Sequence, residues 1–363
     1  MEGISERIKM ARRMAGLSMR GLAEAADVSA MAISKYERGL DIPGSAVLIR
    51  LARALDVKVE FLLRPVNGLA LGLSAPSFRK RASLSVRKGE AVQARVQEWL
   101  ERYLAIEGLF GDAVAFELPA DLDRRVTRPD DIEEVALNLR EAWRLGWDPI
   151  ESMAEVLEDH GVKVGAIKGY DAFDALKLWA NEVTPVIVTR EGLPGDRQRF
   201  DLAHELGHLV LAPAGDMDGW RKGAQEKAAQ RFAGAFLVPA PKARFELGQH
   251  RATLDLMELH LLKHKYGMSM QAWVYRAKDL GIISEAYATQ LHIQFRRNGW
   301  HRDEPGDPIP PEKPARLDRL VLRALAEDVI SESRAAELIG MPMAQFWQRM
   351  REQHAGFPAV LHS

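Results

Sequence analysis

The chain contains no cysteine in 363 residues, so it forms no disulfide framework and offers no thiolate to a metal. A reducing compartment suits it, and any metal site has to be built from histidine and carboxylate. Long apolar runs are missing too: no stretch of about 18 uncharged apolar residues occurs, which argues against a transmembrane helix and a membrane partner. An excess of charge of one sign is equally absent, with 50 Lys plus Arg against 51 Asp plus Glu, so any nucleic-acid surface must be local. Met1 to Lys9 carries Glu2, Glu6, Arg7 and Lys9 with no apolar run behind it, so no secretory signal is expected and the cytoplasm is the expected location.

What is present fits an ordinary globular protein. At 47% hydrophobic and 28% charged residues the chain falls outside the disordered and membrane classes, and its length predicts two or three folded units. Residues 1–65 read as five short helices forming one domain. Residues 66–85, where Gly68, Gly72, Ser74, Pro76 and Ser77 precede Arg79-Lys80-Arg81, read as a linker. Residues 86–300 read as a mixed α+β domain. Helical spacing is found at 91–109, 130–145, 199–210, 224–237, 254–265 and 269–280; Pro185 to Thr189 reads as a buried strand, and Val162 to Ile167 as a weaker strand pattern. Five prolines at 305, 308, 310, 311 and 314 make 301–314 an extended spacer that cannot form a helix. The fold class expected is mainly α, with a small sheet in the central domain and a helical tail over 315–363.

In the first domain Leu17 to Ala26 and Ala30 to Arg38 are two helical patterns separated by Asp27-Val28-Ser29, with Ser29 placed to cap the second. Leu22, Ala23, Val28 and Ile33 supply apolar groups where the helices meet, and Ser34, Lys35 and Arg38 stay polar and outward. Met1 to Arg64 holds 11 Lys plus Arg and 8 Asp plus Glu, a local charge of +3 in a chain of −1. Through Leu22-Ala23, Val28-Ser29, Ile33-Ser34-Lys35-Tyr36-Glu37-Arg38-Gly39 and Leu51-Ala52 this region resembles the Xre-type helix-turn-helix family. The resemblance implies major-groove binding of double-stranded DNA, with Ser29, Ala30, Ser34, Lys35 and Arg38 as contacts. Met19 and Ala30 stand where that family often carries polar residues. The competing reading is a helical bundle used for protein contact alone.

The central domain contains His204-Glu205-Leu206-Gly207-His208 in an apolar helical pattern. Residues four apart share a helix face, so His204 and His208 can turn their imidazoles to one metal ion, zinc being the expected one, and Glu205 then lies beside the reacting water. With only 10 histidines in the chain the pattern is fairly specific. Two surface histidines would have polar neighbours, whereas Leu202, Ala203, Leu206, Leu209 and Val210 indicate burial. Asp216, Asp218, Glu226 and His250 are candidates for a third ligand, and Glu226 is favoured because Ala229 and Ala233 would let its helix lie against the first. Asp201 reads either as a group orienting the ligands or as a surface carboxylate. Tyr170, Tyr266, His250, His260 and His264 are candidate oxyanion stabilisers that spacing alone does not place.

Arg199-Phe200-x-Leu202-Ala203-His204-Glu205-Leu206-Gly207-His208 and the pattern Glu226-x-x-Ala229-Gln230-x-Phe232-Ala233-x-x-Phe236-Leu237-x-Pro239 resemble the ImmA/IrrE metallopeptidases over roughly 85–290. Trp179 to Thr189 would be the strand before the metal helix. Gln230 stands where the family commonly has Asn or Asp. The resemblance implies a zinc endopeptidase whose substrate is a partner repressor protein, with His204, His208 and Glu226 as ligands and Glu205 as the catalytic base. The alternative is a DNA-binding repressor or antitoxin whose peptidase-like domain is structural or senses a ligand. In the tail, helical patterns at 316–326, 331–339 and 343–352 around Gly340-Met341-Pro342 outline another helix-turn-helix, read as a second recognition module or as a packing element. A palindromic operator would suit a homodimer.

Overall fold

The computed structural model describes residues 2–64, 72–80, 85–111, 113–168, 173–213 and 222–355. Tyr170, Asp216, Asp218 and much of the 66–85 linker, Gly68 and Arg81 included, lie outside them.

Five helices open the chain: α1 (Glu2–Met14), α2 (Met19–Ala25), α3 (Ala30–Glu37), α4 (Ser45–Ala54) and α5 (Val59–Leu63). Serine starts both central helices. The Ser18 hydroxyl accepts the Gly21 N–H and the Ser29 hydroxyl the Ala32 N–H, each satisfying an amide that the first helical turn leaves open. Between them Asp27 adopts the left-handed region at φ 52° and reverses the chain. Leu22, Ala23 and Ile33 close on Ile8, Leu48, Leu51 and Leu62 in a separate small core.

A short strand β1 (Ser77–Lys80) leads to α6 (Val86–Phe110), capped by Ser85 at one end and by Gly111 at φ 66° at the other. At 25 residues this helix is about 37 Å long, and successive parts of it serve three cores. Ala94 belongs to the N-terminal core, Val92, Val96 and Leu100 cover the sheet, and Ile106 joins the core of the tail.

Next come β2 (Arg125–Val126), α7 (Pro129–Ala142), α8 (Met153–Asp159), β3 (Lys163–Ile167), β4 (Phe173–Ala180), β5 (Thr184–Arg190), α9 (Gly195–Val210), β6 (Ala212–Pro213) and α10 (Lys222–Leu237). The four-stranded sheet has the order β1-β4-β5-β3, with β3 parallel to β5 and β4 antiparallel to both its neighbours; β2 and β6 form a small parallel pair. Alternation along the strands separates two faces. Val186 and Val188 face α6, whereas Ile187 shares a core with Leu202 and Leu206 of α9. That core continues through α11 (Ala240–Leu247), α12 (Leu256–Tyr266), α13 (Met270–Asp279) and α14 (Glu285–Arg297).

Residues 301–314 contain no helix or strand and lie against the start of α9. Ile309 accepts the Gly195 N–H, and Glu312 pairs with Arg199 at 2.7 Å. The tail is α15 (Arg316–Ala326), α16 (Glu332–Ile339) and α17 (Met343–Ala355), closed around Leu320, Val321, Leu338 and Phe346 and docked on α6. Arg102 of α6 donates to the Leu338 carbonyl, and Arg64 pairs with Glu337.

Helices and strands predicted from periodicity are present at the predicted places. The stretch from Trp179 to Thr189 is corrected: it holds the end of β4, a turn with Asn181 and Glu182 at φ 52° and 62°, and β5, rather than one strand. Strand β4 escapes the period-2 pattern because residues on both its faces are buried, and α8, α11 and α14 were not foreseen.

Candidate metal centre

The site is built by two helices that touch closely. A β-carbon placed on Gly207 would come within 3.1 Å of the Ala229 Cα, so glycine on α9 facing alanine on α10 permits an approach that a larger pair would block. That approach brings the first turns of α10 over the histidines of α9. His204 and His208, one turn apart, point their Nε2 atoms at each other across 3.1 Å. Glu226 places one carboxylate oxygen 3.3 Å from His204 Nε2 and the other 3.6 Å from His208 Nε2.

These separations fit a metal. Ligands held at about 2.05 Å around a tetrahedral zinc lie about 3.3 Å apart. Two imidazole nitrogens and a carboxylate converging on one point form a nitrogen and oxygen donor set, in a chain that has no thiolate to offer. His204 is 3% exposed, His208 18% and Glu226 50%, so the cluster opens to solvent on the Glu226 side. Glu205, beside His204, is buried.

A further residue that sequence reasoning missed enters from the sheet. Lys177 on β4 is half-buried; burial lowers its pKa, and the nearby Glu205 and Glu226 carboxylates partly restore it. Its partner across the sheet is Ile187, which lies in the core with α9, so Lys177 points to the same face. A lone lysine in a strand carries no sequence signal of this kind.

Asp201 is buried one turn before Glu205, which removes the reading of it as a surface carboxylate. Gln230 is exposed one turn after Glu226. Among the described residues, the oxyanion candidates Tyr266, His250, His260 and His264 do not join the cluster. Tyr266 donates to Glu246 at 2.6 Å, His260 and His264 stack edge-to-face on α12, and His250 is exposed beyond α11. In the helix-turn-helix, Ala30, Lys35 and Arg38 are exposed and Ser34 is half-buried; the Ser29 hydroxyl is engaged as a cap, and Arg38 Nε donates to the Ser34 carbonyl at 3.2 Å.

Two domain families match the chain. Residues 8–62 match the helix-turn-helix family, and residues 157–278 match the IrrE N-terminal-like domain, a zincin-like metallopeptidase family. The chain joins an Xre-type helix-turn-helix domain to an IrrE/ImmA-like peptidase domain. No curated protein matches it. The IrrE-like match begins inside α8 and ends inside α13, so it holds β3 to β5, α9 and α10 and every residue of the His204, His208 and Glu226 cluster. Helix α6, strand β1 and the tail lie outside it. Among the described residues no helix is long and apolar enough to cross a membrane.

Proposed function

We propose that the chain is a cytoplasmic DNA-binding regulator whose IrrE-like domain is a zinc endopeptidase acting on a partner repressor protein. The convergence of His204, His208 and Glu226 at ligand separations, with buried Glu205 alongside, carries the reading. Zinc bound by these three groups would supply Lewis acidity to water and to a peptide carbonyl. Glu205 takes a proton from the attacking water and returns it to the departing amine nitrogen. Lys177 places an amine near the Glu205 and Glu226 carboxylates. The helix-turn-helix reaches double-stranded DNA through α3, with Ser29, Ala30, Ser34, Lys35 and Arg38 along its exposed side. A homodimer would set two such helices in successive major grooves.

The fused DNA-binding domain supports a substrate found at promoters, because both then occupy the same sites. Protein N-termini should be compared between cells expressing the wild-type chain and cells expressing Glu205→Gln. The reading predicts new N-termini in a DNA-binding protein with wild type only. Identical sets of termini would contradict it.

A further inference from the structure

Strand β4 carries Lys177 to the metal face, and its outer edge is already taken by a segment from between the two matched domains. Residues 72–80 run antiparallel along nearly its whole length. Ser77, Phe78, Arg79 and Lys80 lie opposite Lys177, Leu176, Ala175 and Phe173, with a register shift after Arg79. Farther back Leu73 bridges Ala180, Ser74 donates its N–H to the Trp179 carbonyl at 2.9 Å, and the Ser74 hydroxyl accepts the Trp179 N–H at 2.9 Å. At the end Asn181 donates to the Gly72 carbonyl, and the Gly72 N–H donates back to the Asn181 side chain, both at 3.0 Å.

Most of the hydrogen bonds named above use its backbone. Gly72, Ala75 and Ser77 are exposed, and Leu73 is a half-buried apolar contact to the sheet. Attachment by main-chain hydrogen bonds is the way an extended peptide adds to a sheet edge. Any extended chain can make the same bonds. A peptide lying where Ser77 lies would pass beside Lys177, on the face of the sheet that packs against α9.

We propose that residues 72–80 act as an internal stand-in for an extended peptide, occupying the edge of β4 so that an outside chain can pair with that strand only by displacing them. This rests on the peptidase reading for its purpose, though occupancy of the edge can be measured without turnover. Because the segment emerges from the helix-turn-helix side, a rearrangement of that domain on DNA or on a partner would be the means of release.

The test uses the full chain in a Glu205→Gln background, with fluorescein-labelled casein as an unfolded probe read by anisotropy. Ser74→Pro removes both bonds to Trp179 and should tighten probe binding about tenfold. A β-carbon on Gly72 lies 4.0 Å from the Asn181 Cα, so Gly72→Cys with Asn181→Cys can form a cross-strand disulfide in a chain that has no other cysteine. Added to Ser74→Pro, the oxidised pair should return binding to the wild-type value and reduction should release it again, in one and the same folded polypeptide. Equal binding by oxidised and reduced protein, no tighter than wild type, would overturn the proposal. Tighter binding on release in a chain whose Glu205 form cleaves nothing would sustain the occupied edge while removing the peptidase reading.

Discussion

Glu158 shows what burial does to one carboxyl. It sits under the tail, where its Oε2 accepts the N–H groups of Ala315 and Arg316 at 3.2 and 3.1 Å, yet desolvation pushes its pKa from the ordinary 4.5 up to about 7. The folded protein therefore keeps this proton to higher pH than the unfolded chain. Stability is lost as pH rises from about 4.5 to about 7, by something on the order of 3 kcal/mol. Glu158→Gln keeps an acceptor oxygen and removes the charge. Its Tm should match wild type near pH 4.5 and exceed it at pH 8; parallel curves would show that Glu158 is not the source. At this scale the residues of the candidate site were legible in the sequence, because His204 and His208 lie four apart on one helix and so share a face, with Glu205 next to the first of them. Glu226 was legible through its neighbours Ala229 and Ala233. Lys177 and Glu158 were not, since their environments are made by residues distant in sequence.

Among the elements, α6 does most to hold the chain together. Its Glu101 pairs with Arg7 of α1 and its Glu107 with Lys163 of β3 at 2.6 Å, while Arg102 reaches the Leu338 carbonyl of α16. The last contact depends on Gly340, which takes φ 80° and would drive a β-carbon into the Arg102 guanidinium. Gly340→Ala should cost about 1 to 3 kcal/mol through strain and the displaced arginine. A denaturant titration with an unchanged midpoint would contradict that. The helical period announced α6 over 91–109, but three different cores on one helix are a tertiary fact that no local pattern encodes. Likewise the prolines of 301–314 ruled out a helix correctly, yet nothing in that composition told of the Glu312 pair with Arg199 or the Gly195 bond to Ile309. Strand β1 lay in a stretch that read as linker, because four residues with a proline nearby give little period to detect.

Taken whole, the molecule sets a small basic helix-turn-helix at one end of α6, the tail at the other and the candidate metal centre across the sheet. The charge of the whole chain hides the +3 of its first 64 residues, and that local excess governs any contact with phosphates. Lys35 and Arg38 are both exposed. Replacing either by Ala should weaken binding to all duplex sequences alike and reduce the slope of log affinity against log salt by about 1; an unaltered slope would place DNA elsewhere on the surface. Everything proposed for the peptidase depends on one point in space where three side chains meet. Elemental mass spectrometry of protein purified without chelators, beside a His204→Ala, His208→Ala variant, tests that point directly. About one zinc per chain in wild type, lost in the variant, is the predicted result. A wild-type chain that holds no metal after zinc is supplied would contradict the account.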